Sequence, residues 1–255
     1  SYLGDDIIAL ASGGHMYSTP GLPDMIRDPL NEPPLRPNTY LGEFVSGLHA
    51  TNGTMAALFR RMTTYQGCEV DVSQQEAVAM VLGWELAHAS YLEPKEREPK
   101  VFGSMPNAYM RCKDGYAVIV GFMNRHFVKL AALMGIPELA DMEVFSDQYE
   151  RARNWDALEP IIQEWSYNHT GEEIAAMAQS VGVPCFPAYK IGQMTDSEHV
   201  RERNYMWTYV NQDGRQVRMP GNPLRLGATP PGLRQLAPRL GEHNVEILKE
   251  IGYSI

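Results

Sequence analysis

The stretch from Tyr40 to Ala77 reads YLGEFVSGLHATNGTMAALFRRMTTYQGCEVDVSQQEA and predicts a long helix at its start. Apolar side chains recur there near helical spacing, and interspersed glycines and alanines would let another backbone approach closely. Glu43 falls in the first turn of this helix, whereas Arg60 and Arg61 fall in its last turns, where each charge complements the helix dipole. The stretch therefore predicts a helix that presents a carboxylate at its start.

The residues after this helix predict a buried strand and a second helix. The strand is expected over Glu69 to Val72. Ser73 and Glu76 then match the Ser-x-x-Glu capping box, and the apolar helix that follows should continue to about Leu92. The charged run EPKEREPK, from Glu93 to Lys100, contains two prolines and is interpreted as a linker and domain boundary.

Periodicity and turn residues predict the remaining elements. A short helix within Leu3 to Met16 and an irregular, proline-rich loop from Pro20 to Pro37 should precede the long helix. The elements expected after the linker are a hairpin of Ala108–Cys112 with Tyr116–Gly121, helices over Asn124–Met134, Asn154–Asn168 and Gly171–Val181, a short buried strand within Val183–Tyr189, a hairpin of Trp207–Val210 with Gln216–Met219, and a helix over Glu242–Glu250. Thr170 and Glu173 should form a capping box at the third of these helices.

Composition disfavours several kinds of partner and site. The 255 residues carry a formal charge of -9, which disfavours nucleic acid and acidic membranes because both require a basic surface. No apolar run approaches the roughly 20 residues of a membrane-spanning helix, and the first residues do not resemble a signal peptide. Cys68, Cys112 and Cys185 offer neither a disulfide framework nor a CxxC zinc pair, so buried free thiols are expected. A cytosolic protein without a metal site is therefore expected.

Three ordered segments carry a resemblance to a known family. GCEVDVSQQEA, from Gly67 to Ala77, matches a GxxVDVSxxEA strand and helix. GDDIIALASGGHM, from Gly4 to Met16, and LGEHNVEILKEIGY, from Leu240 to Tyr253, fit in the expected order. Together they resemble the family III CoA-transferases, the group of formyl-CoA transferase, carnitine CoA-transferase and alpha-methylacyl-CoA racemase. The resemblance spans almost the whole chain.

The resemblance implies an α/β fold in which this chain supplies part of a Rossmann-like large domain and a smaller α+β domain. Residues 1–95 would be a large-domain segment with the candidate active-site helix, residues 96–183 the small domain, and residues 184–255 a linker and return to the large domain. Family members are interlocked dimers and begin with a Rossmann-like half that supplies much of the CoA site. Ser1 corresponds to a position well inside the family sequence. The resemblance therefore implies an N-terminal half on another chain or homologous subunit, unless that half was cleaved or omitted. It also implies a homo- or hetero-oligomer.

The resemblance also implies CoA transfer from an acyl-CoA to a carboxylic acid. Glu43 matches the family's catalytic carboxylate, which would attack the thioester and pass through a mixed anhydride and a glutamyl-CoA thioester. CoA and acyl-CoA would be substrates, no prosthetic group is implied, and the CoA-binding residues are not assigned. Most members carry aspartate here, and the extra methylene of Glu43 would move the attacking oxygen by about an ångström, which can cost on the order of a hundredfold in rate. Either the pocket fits glutamate, or this subunit no longer performs the chemistry.

Other interpretations of the same residues stay open. A glutamate in a first helical turn can simply complement the dipole, and Asp5 and Asp6 can simply cap a helix. The chain could be a non-catalytic subunit that completes a partner's site, a binding module, or an acyl-CoA isomerase or racemase. The racemase branch has histidine in the place of Asp5, so two-base proton exchange would lack one base here. Three arginines could bind phosphates or a substrate carboxylate: Arg36, Arg60 and Arg61. The simpler interpretation is that each is a solvated surface residue.

Overall fold

A computed structural model describes residues 4–19, 33–91 and 105–253 of the chain. The charged linker predicted over residues 93–100 and most of the predicted proline-rich loop lie outside these ranges. The chain divides into two units, which are described one at a time. Unit 1 comprises Ser1–Asn107, Phe122–Asn124 and Asp141–Trp155, and unit 2 comprises Ala108–Gly121, Arg125–Ala140 and Asp156–Ile255.

The described elements make a mixed α/β protein, which confirms the predicted fold class at this coarse level. In chain order they are α1 (Asp6–Ser12), α2 (His15–Ser18), α3 (Leu41–Thr64), α4 (Gln74–Val81), α5 (Gly83–Tyr91), β1 (Asn107–Cys112), β2 (Gly115–Val120), α6 (Asn124–Leu133), two 3-10 turns (Pro137–Asp141 and Glu143–Phe145), α7 (Gln148–Arg153), α8 (Trp155–Ser166), α9 (Gly171–Ser180), β3 (Cys185–Pro187), α10 (Ile191–Thr195), α11 (Glu198–Glu202), β4 (Met206–Val210), β5 (Gln216–Pro220) and α12 (Asn244–Glu250).

Helix α1 contacts both α3 and α4, which also contact each other. Ala9 and Leu10 of α1 form a buried apolar cluster with Val78 of α4. Gly13, which follows α1, has no room for a side chain, because an added Cβ would lie 2.5 Å from Cγ1 of Val78. The short helix α1 therefore lies directly against α4 and against the helix that carries Glu43.

Helix α3 buries two small residues on one side and exposes large apolar residues on the other. Gly42 and Ser46 are buried, and a Cβ on Gly53 would lie 2.7 Å from Cγ1 of Val70. The close approach predicted at the small residues is therefore seen at Gly53. Five large apolar side chains on the opposite side of the helix, each at least 61% exposed, form what we call the exposed α3 face: Phe44, Leu48, Met55, Phe59 and Met62.

Two predictions for the segment after α3 are wrong. Residues 65–73 form no strand, because no strand of the described sheets lies beside them to complete a hydrogen-bonded ladder. The single helix expected as far as Leu92 is broken into α4 and α5, since Leu82 leaves the helical conformation with φ −95° and ψ 31° just before Gly83. Ser73 caps α4 by accepting the N–H of Glu76 at 3.3 Å, but the described contacts include no return bond from the Glu76 side chain.

Helix α7 was not predicted, and it binds three other segments of unit 1 through Arg151. The carboxylate of Asp147 caps it by accepting the N–H groups of Tyr149 and Glu150 at 2.7 and 2.9 Å. The guanidinium of Arg151 is fully buried and donates to Oδ1 of Asn124 and to three backbone carbonyls. Those carbonyls belong to Met105, Phe122 and Phe145. Arg151 therefore joins α7 to three other segments of unit 1.

Unit 2 contains both described sheets. The first has the strand order β1-β2-β3, with Ile119 of β2 opposite Cys185 of β3, and α9 packs against β2 and β3. Strands β4 and β5 pair antiparallel as the second sheet. The predicted hairpins, the strand within residues 183–189 and the three predicted central helices are thus confirmed with small shifts at their ends.

The predicted capping box of α9 is also confirmed. Thr170 Oγ1 accepts the N–H of Glu173, and the Glu173 carboxylate accepts the N–H of Thr170. The last helix, α12, begins at Asn244 rather than Glu242, and its N-cap residue His243 makes no side-chain capping bond. The Glu242 carboxylate instead accepts the N–H of Arg239.

Candidate active site

The candidate nucleophile, Glu43, occupies the first turn of α3, as the sequence predicts. The residue before the helix, Tyr40, provides no side-chain hydrogen bond to cap it. The cap comes from α1, because Oδ1 of Asp6 accepts the backbone N–H of Glu43 at 3.1 Å. Acceptance of an N–H in the first turn is the role that a local Ser, Thr, Asn or Asp usually plays. The start of α3 is therefore held by a carboxylate from a different helix.

Gly42 makes this contact between the helices possible. A Cβ at this position would lie 3.1 Å from Oδ1 of Asp6 and 3.5 Å from Cβ of Ala9. The first of these distances is shorter than an ordinary van der Waals contact, so a larger residue would push Asp6 away from the first turn of α3. The close approach of Asp6 therefore favours glycine at position 42, next to the candidate nucleophile.

The Asp6 side chain is fully buried, and only one of its oxygens is hydrogen-bonded among the described residues. Oδ1 takes the Glu43 N–H, whereas Oδ2 has no hydrogen-bond partner there. The nearest cation is Arg36, whose Nη2 lies 3.7 Å from Oδ2 and whose side chain is 39% exposed. Burial of a carboxylate with incomplete hydrogen bonding costs free energy unless a nearby cation offsets it. Asp6 therefore connects the segment before α3, through Arg36, to the backbone of Glu43.

The Glu43 side chain is exposed at the start of α3. The described part of the chain shows no hydrogen bond or ion pair to its carboxylate. A glutamate at this position of a helix often bonds back to the backbone at the N-cap residue, which would leave it a purely structural role. The described contacts show no such bond from the Glu43 side chain to Tyr40, so the side chain does not fill that structural role. The carboxylate lies at the positive end of a 24-residue helix and is exposed there.

The sequence patterns did not identify Asp6 as a partner of Glu43. The interpretation that Asp5 and Asp6 together cap one helix start is wrong for Asp6. Asp5 alone caps α1, where its Oδ1 accepts the N–H of Ile7 at 3.5 Å. Asp6 is directed to α3 instead. The available signal was its spacing, since Asp6, Ala9 and Leu10 lie three and four positions apart and share the buried face of α1.

The other arginines singled out in the sequence lie far from Glu43 on α3. Arg61 is 18 positions further along the helix, which corresponds to about 27 Å at 1.5 Å per residue. It borders an open cavity of about 520 Å³ at the far end of α3. The other residues that line the cavity are Thr54, Ala57, Leu58, Tyr65, Gly67, Cys68 and Val70. The expectation that Cys68 is buried is wrong, because this thiol is exposed, whereas Cys112 and Cys185 are buried as expected.

The start of α3 thus carries an exposed carboxylate, Glu43, and a buried one, Asp6. The sequence model of CoA-transferase family III matches residues 1–244. The chain belongs to CoA-transferase family III. The beta subunit of succinyl-CoA–L-malate CoA-transferase from Chloroflexus aurantiacus is 30% identical to this family III chain over 251 residues. The alpha subunit of the enzyme with that name, from the same organism, is 32% identical over 225 residues.

These relatives are longer than the family III chain described here. The match covers 96% of this chain and 60% of the beta subunit, and 86% of this chain and 52% of the alpha subunit. The chain thus spans about 60% of the length of the first curated relative it matches. A CAIB/BAIF family protein from Brucella suis has a similar structure, with a TM-score of 0.75 and 23% identity over 97% of this chain and 63% of that protein. At this identity the similarity shows the fold alone.

Two further properties of the described residues bear on possible ligands of this family III chain. They contain no group of three or more His, Cys, Asp or Glu side chains placed to hold a metal ion. None of their helices is both long and apolar enough to cross a bilayer.

Proposed function

We propose that this chain belongs to a CoA-transferase that moves CoA from an acyl-CoA to a carboxylic acid, with Glu43 as the nucleophile. The Glu43 carboxylate attacks the thioester carbonyl, the C–S bond breaks, and a mixed acyl-glutamyl anhydride forms with release of the CoA thiolate. The thiolate then attacks the glutamyl carbonyl, which expels the first carboxylic acid and leaves a glutamyl-CoA thioester.

The second half of the reaction reverses these steps with a new acid. The acceptor carboxylate attacks the glutamyl thioester and releases the CoA thiolate, which gives a second mixed anhydride. The thiolate attacks the acyl carbonyl of that anhydride, so the new acyl-CoA leaves and the Glu43 carboxylate is regenerated. Each half needs an ionised, sterically accessible carboxylate and consumes no metal or redox cofactor.

The free carboxylate of Glu43 is the observation that carries this proposal. It is exposed at the positive end of α3 and makes no hydrogen bond or ion pair among the described contacts, while Asp6 caps the backbone N–H of the same residue. Family membership supports the same position as the reactive one. Glutamate in place of the aspartate expected from the family resemblance is accommodated, in this proposal, by a pocket built around the longer side chain.

Dicarboxylic acids are the substrates we propose, by analogy with the two relatives whose names specify succinyl-CoA and L-malate. Arg36 lies beside the start of α3 through its ion pair with Asp6 and is partly exposed. A guanidinium there offers charge complementary to a second carboxylate of such a substrate.

We further propose that the active protein is an oligomer. The exposed α3 face would lie in contact with a Rossmann-like half in an interlocked family fold. Apolar areas of this kind are seldom left bare in isolated proteins. The subdivision at residues 95 and 183 and a cytoplasmic location stay predictions.

A second candidate function is a non-catalytic subunit that completes the site of a partner. The pair of relatives named as alpha and beta subunits favours this alternative, as does the glutamate at the catalytic position. An acyl-CoA isomerase or racemase is a weaker alternative, because the side chain of Asp5 caps α1 rather than standing free as a base.

CoA transfer by Glu43 variants tests the proposal. The protein, isolated from its host with its natural partners, is assayed for transfer of CoA from succinyl-CoA to L-malate. Glu43→Gln should abolish transfer, because an amide cannot perform the attack. Glu76→Gln is the matched control, since Glu76 occupies the same position in the first turn of α4, is exposed and makes no described side-chain capping bond. Full activity of Glu43→Gln would remove Glu43 from the mechanism and favour the non-catalytic alternative.

A further inference from the structure

We propose that Asp6 is a positioning residue, whose buried carboxylate holds the first turn of α3 so that Glu43 is aimed at the thioester carbonyl. This inference rests on the proposed function of Glu43. It adds a second residue to the site, from another helix, with a role that is separate from nucleophilic attack.

The geometry places Asp6 directly on the backbone of the nucleophile. Its Oδ1 lies 3.1 Å from the nitrogen of Glu43, and the side chain is fully buried. First turns of helices fray unless their N–H groups are bonded. Among the described contacts, the bond from Asp6 is the one that holds the Glu43 N–H. Loss of it would release the turn on which the reactive carboxylate stands.

A cap for α3 does not by itself require a buried carboxylate such as Asp6. Helix α4, in the same unit, is capped by its own neighbouring residue, since Ser73 Oγ accepts the N–H of Glu76. Asp6 performs the same bond from 37 residues away, with Oδ2 buried and not hydrogen-bonded among the described residues. This arrangement costs more free energy than a local serine would. In return it fixes the first turn of α3 to two separate parts of the unit, α1 and the segment of Arg36.

Rigid attachment matters because Glu43 takes part in every step of the proposed cycle. Its carboxyl group is the attacking nucleophile in one step and the electrophilic carbonyl in the next, and both geometries must be reached from the same backbone position. A displacement of about 1 Å at a reacting group can reduce a rate on the order of a hundredfold. The hydrogen bond from Asp6 acts on the backbone and leaves the Glu43 side chain free to turn between the two geometries.

The experiment measures the rate at which Glu43 is converted to its CoA thioester in a single turnover. The protein, isolated with its natural partners, is mixed with succinyl-CoA and quenched at intervals with hydroxylamine. The peptide that contains Glu43 is then quantified by mass spectrometry. Asp6→Ala should slow the reaction on the order of a hundredfold. KM for succinyl-CoA should stay within about twofold, because Asp6 is buried and does not touch the substrate.

Two further variants separate positioning from folding. Asp6→Asn keeps an oxygen that can accept the Glu43 N–H, so its rate should lie closer to that of the unsubstituted protein than to that of Asp6→Ala. Ser73→Ala removes the comparable cap of α4, and its rate per folded molecule should be unchanged. If Asp6→Ala does not fold, Gly42→Ala tests the same bond, because the added Cβ would crowd Oδ1 of Asp6 at 3.1 Å. Gly42→Ala should then slow thioester formation without raising KM.

The outcomes distinguish this inference from the proposed function. Thioester formation at the normal rate in folded Asp6→Ala, or in Gly42→Ala where Asp6→Ala does not fold, would overturn the positioning role and leave Glu43 as the nucleophile. Equal slowing in Asp6→Ala and Ser73→Ala would reduce Asp6 to a structural cap. Absence of any modification of Glu43 in the unsubstituted protein would overturn both proposals.

Discussion

Oδ1 of Asp6 lies 3.1 Å from the backbone nitrogen of Glu43, although 37 positions separate the two residues in the chain. This contact gives the first turn of α3 a cap from α1. The Glu43 carboxylate itself makes no hydrogen bond or ion pair in the described part of the protein.

The packing of α1 against α4 predicts a steric effect at Gly13. Gly13→Ala should lower the free energy of unfolding by about 1–3 kcal/mol, because the added Cβ would lie 2.5 Å from Cγ1 and 2.7 Å from Cβ of Val78. Gly47→Ala is the matched control, since nothing lies within 4 Å of a Cβ at that position of α3. The control should be neutral or stabilising by up to about 1 kcal/mol. Denaturant unfolding measures both, and equal stability of the two variants would contradict the packing of α1.

The buried guanidinium of Arg151 predicts a large loss of stability on substitution. Burial lowers the pKa of Arg151 to about 10, so the group is still a cation at neutral pH and its donors are charged. Arg151→Met should lower the free energy of unfolding by about 3 kcal/mol or more, because buried carbonyl groups lose their donors. Arg153→Met, at a position whose side chain is 71% exposed, should change it by less than about 0.5 kcal/mol. Similar effects of the two substitutions in chemical denaturation would contradict this account.

The Asp114 carboxylate predicts a pH-dependent contribution to the stability of unit 2. It accepts the N–H of Gly171 at 2.9 Å and the thiol hydrogen of Cys112 at 3.2 Å, and these bonds hold the pKa of Asp114 below its ordinary value. Because the folded value is the lower one, the contribution is present above the unfolded pKa of about 3.9 and is lost as the pH falls through the folded value.

Asp114→Ala should therefore destabilise the protein by about 1 kcal/mol near neutral pH, because the N–H of Gly171 loses its acceptor. The difference from the unsubstituted protein should shrink as the pH falls below about 3.9. Asp156→Ala, at another exposed position of unit 2, serves as the control for a lost carboxylate. Thermal unfolding across this pH range measures the effect, and a difference that persists unchanged at low pH would count against the bonds to Asp114.

The three cysteines should differ sharply in reactivity. Cys68 is exposed, whereas burial raises the pKa of Cys185 to about 12 and burial, with a hydrogen bond to Asp114, also raises the pKa of Cys112. Since the thiolate is the reactive form, iodoacetamide at pH 8 should modify Cys68 alone in the folded protein and all three thiols after unfolding. Peptide mass spectrometry measures this, with Cys68→Ser as the unlabelled control. Rapid modification of Cys185 in the folded protein would contradict its burial.

Local sequence patterns predicted most of the helices and hairpins because their causes are local. Thr170 and Glu173 lie in one turn and cap each other whatever surrounds them. Asp114 and Gly115 likewise mark the turn between β1 and β2, where Gly115 has φ 158°. The predicted strand over Glu69 to Val72 failed for the opposite reason. A strand needs a partner strand, and the residues themselves do not show whether one lies beside them.

The candidate site was predicted in part. The position of Glu43 follows from the helix period and from the family resemblance, both of which are properties of the sequence. Its relationship to Asp6 depends on how α1 crosses the start of α3, and no local rule gives that crossing. A similar limit applies to the exposed α3 face. Periodicity predicted the helix, but it did not predict that the side carrying Phe44 and Phe59 would be exposed.

The most direct test of the account is the chemical state of Glu43 during turnover. The protein isolated with its natural partners is incubated with succinyl-CoA alone, treated with hydroxylamine and digested, and the peptides that contain Glu43 and Glu76 are analysed by mass spectrometry. We predict a hydroxamate at Glu43 that depends on succinyl-CoA, and none at Glu76 or in Glu43→Gln. An unmodified Glu43 in a preparation that transfers CoA to added L-malate would contradict this prediction.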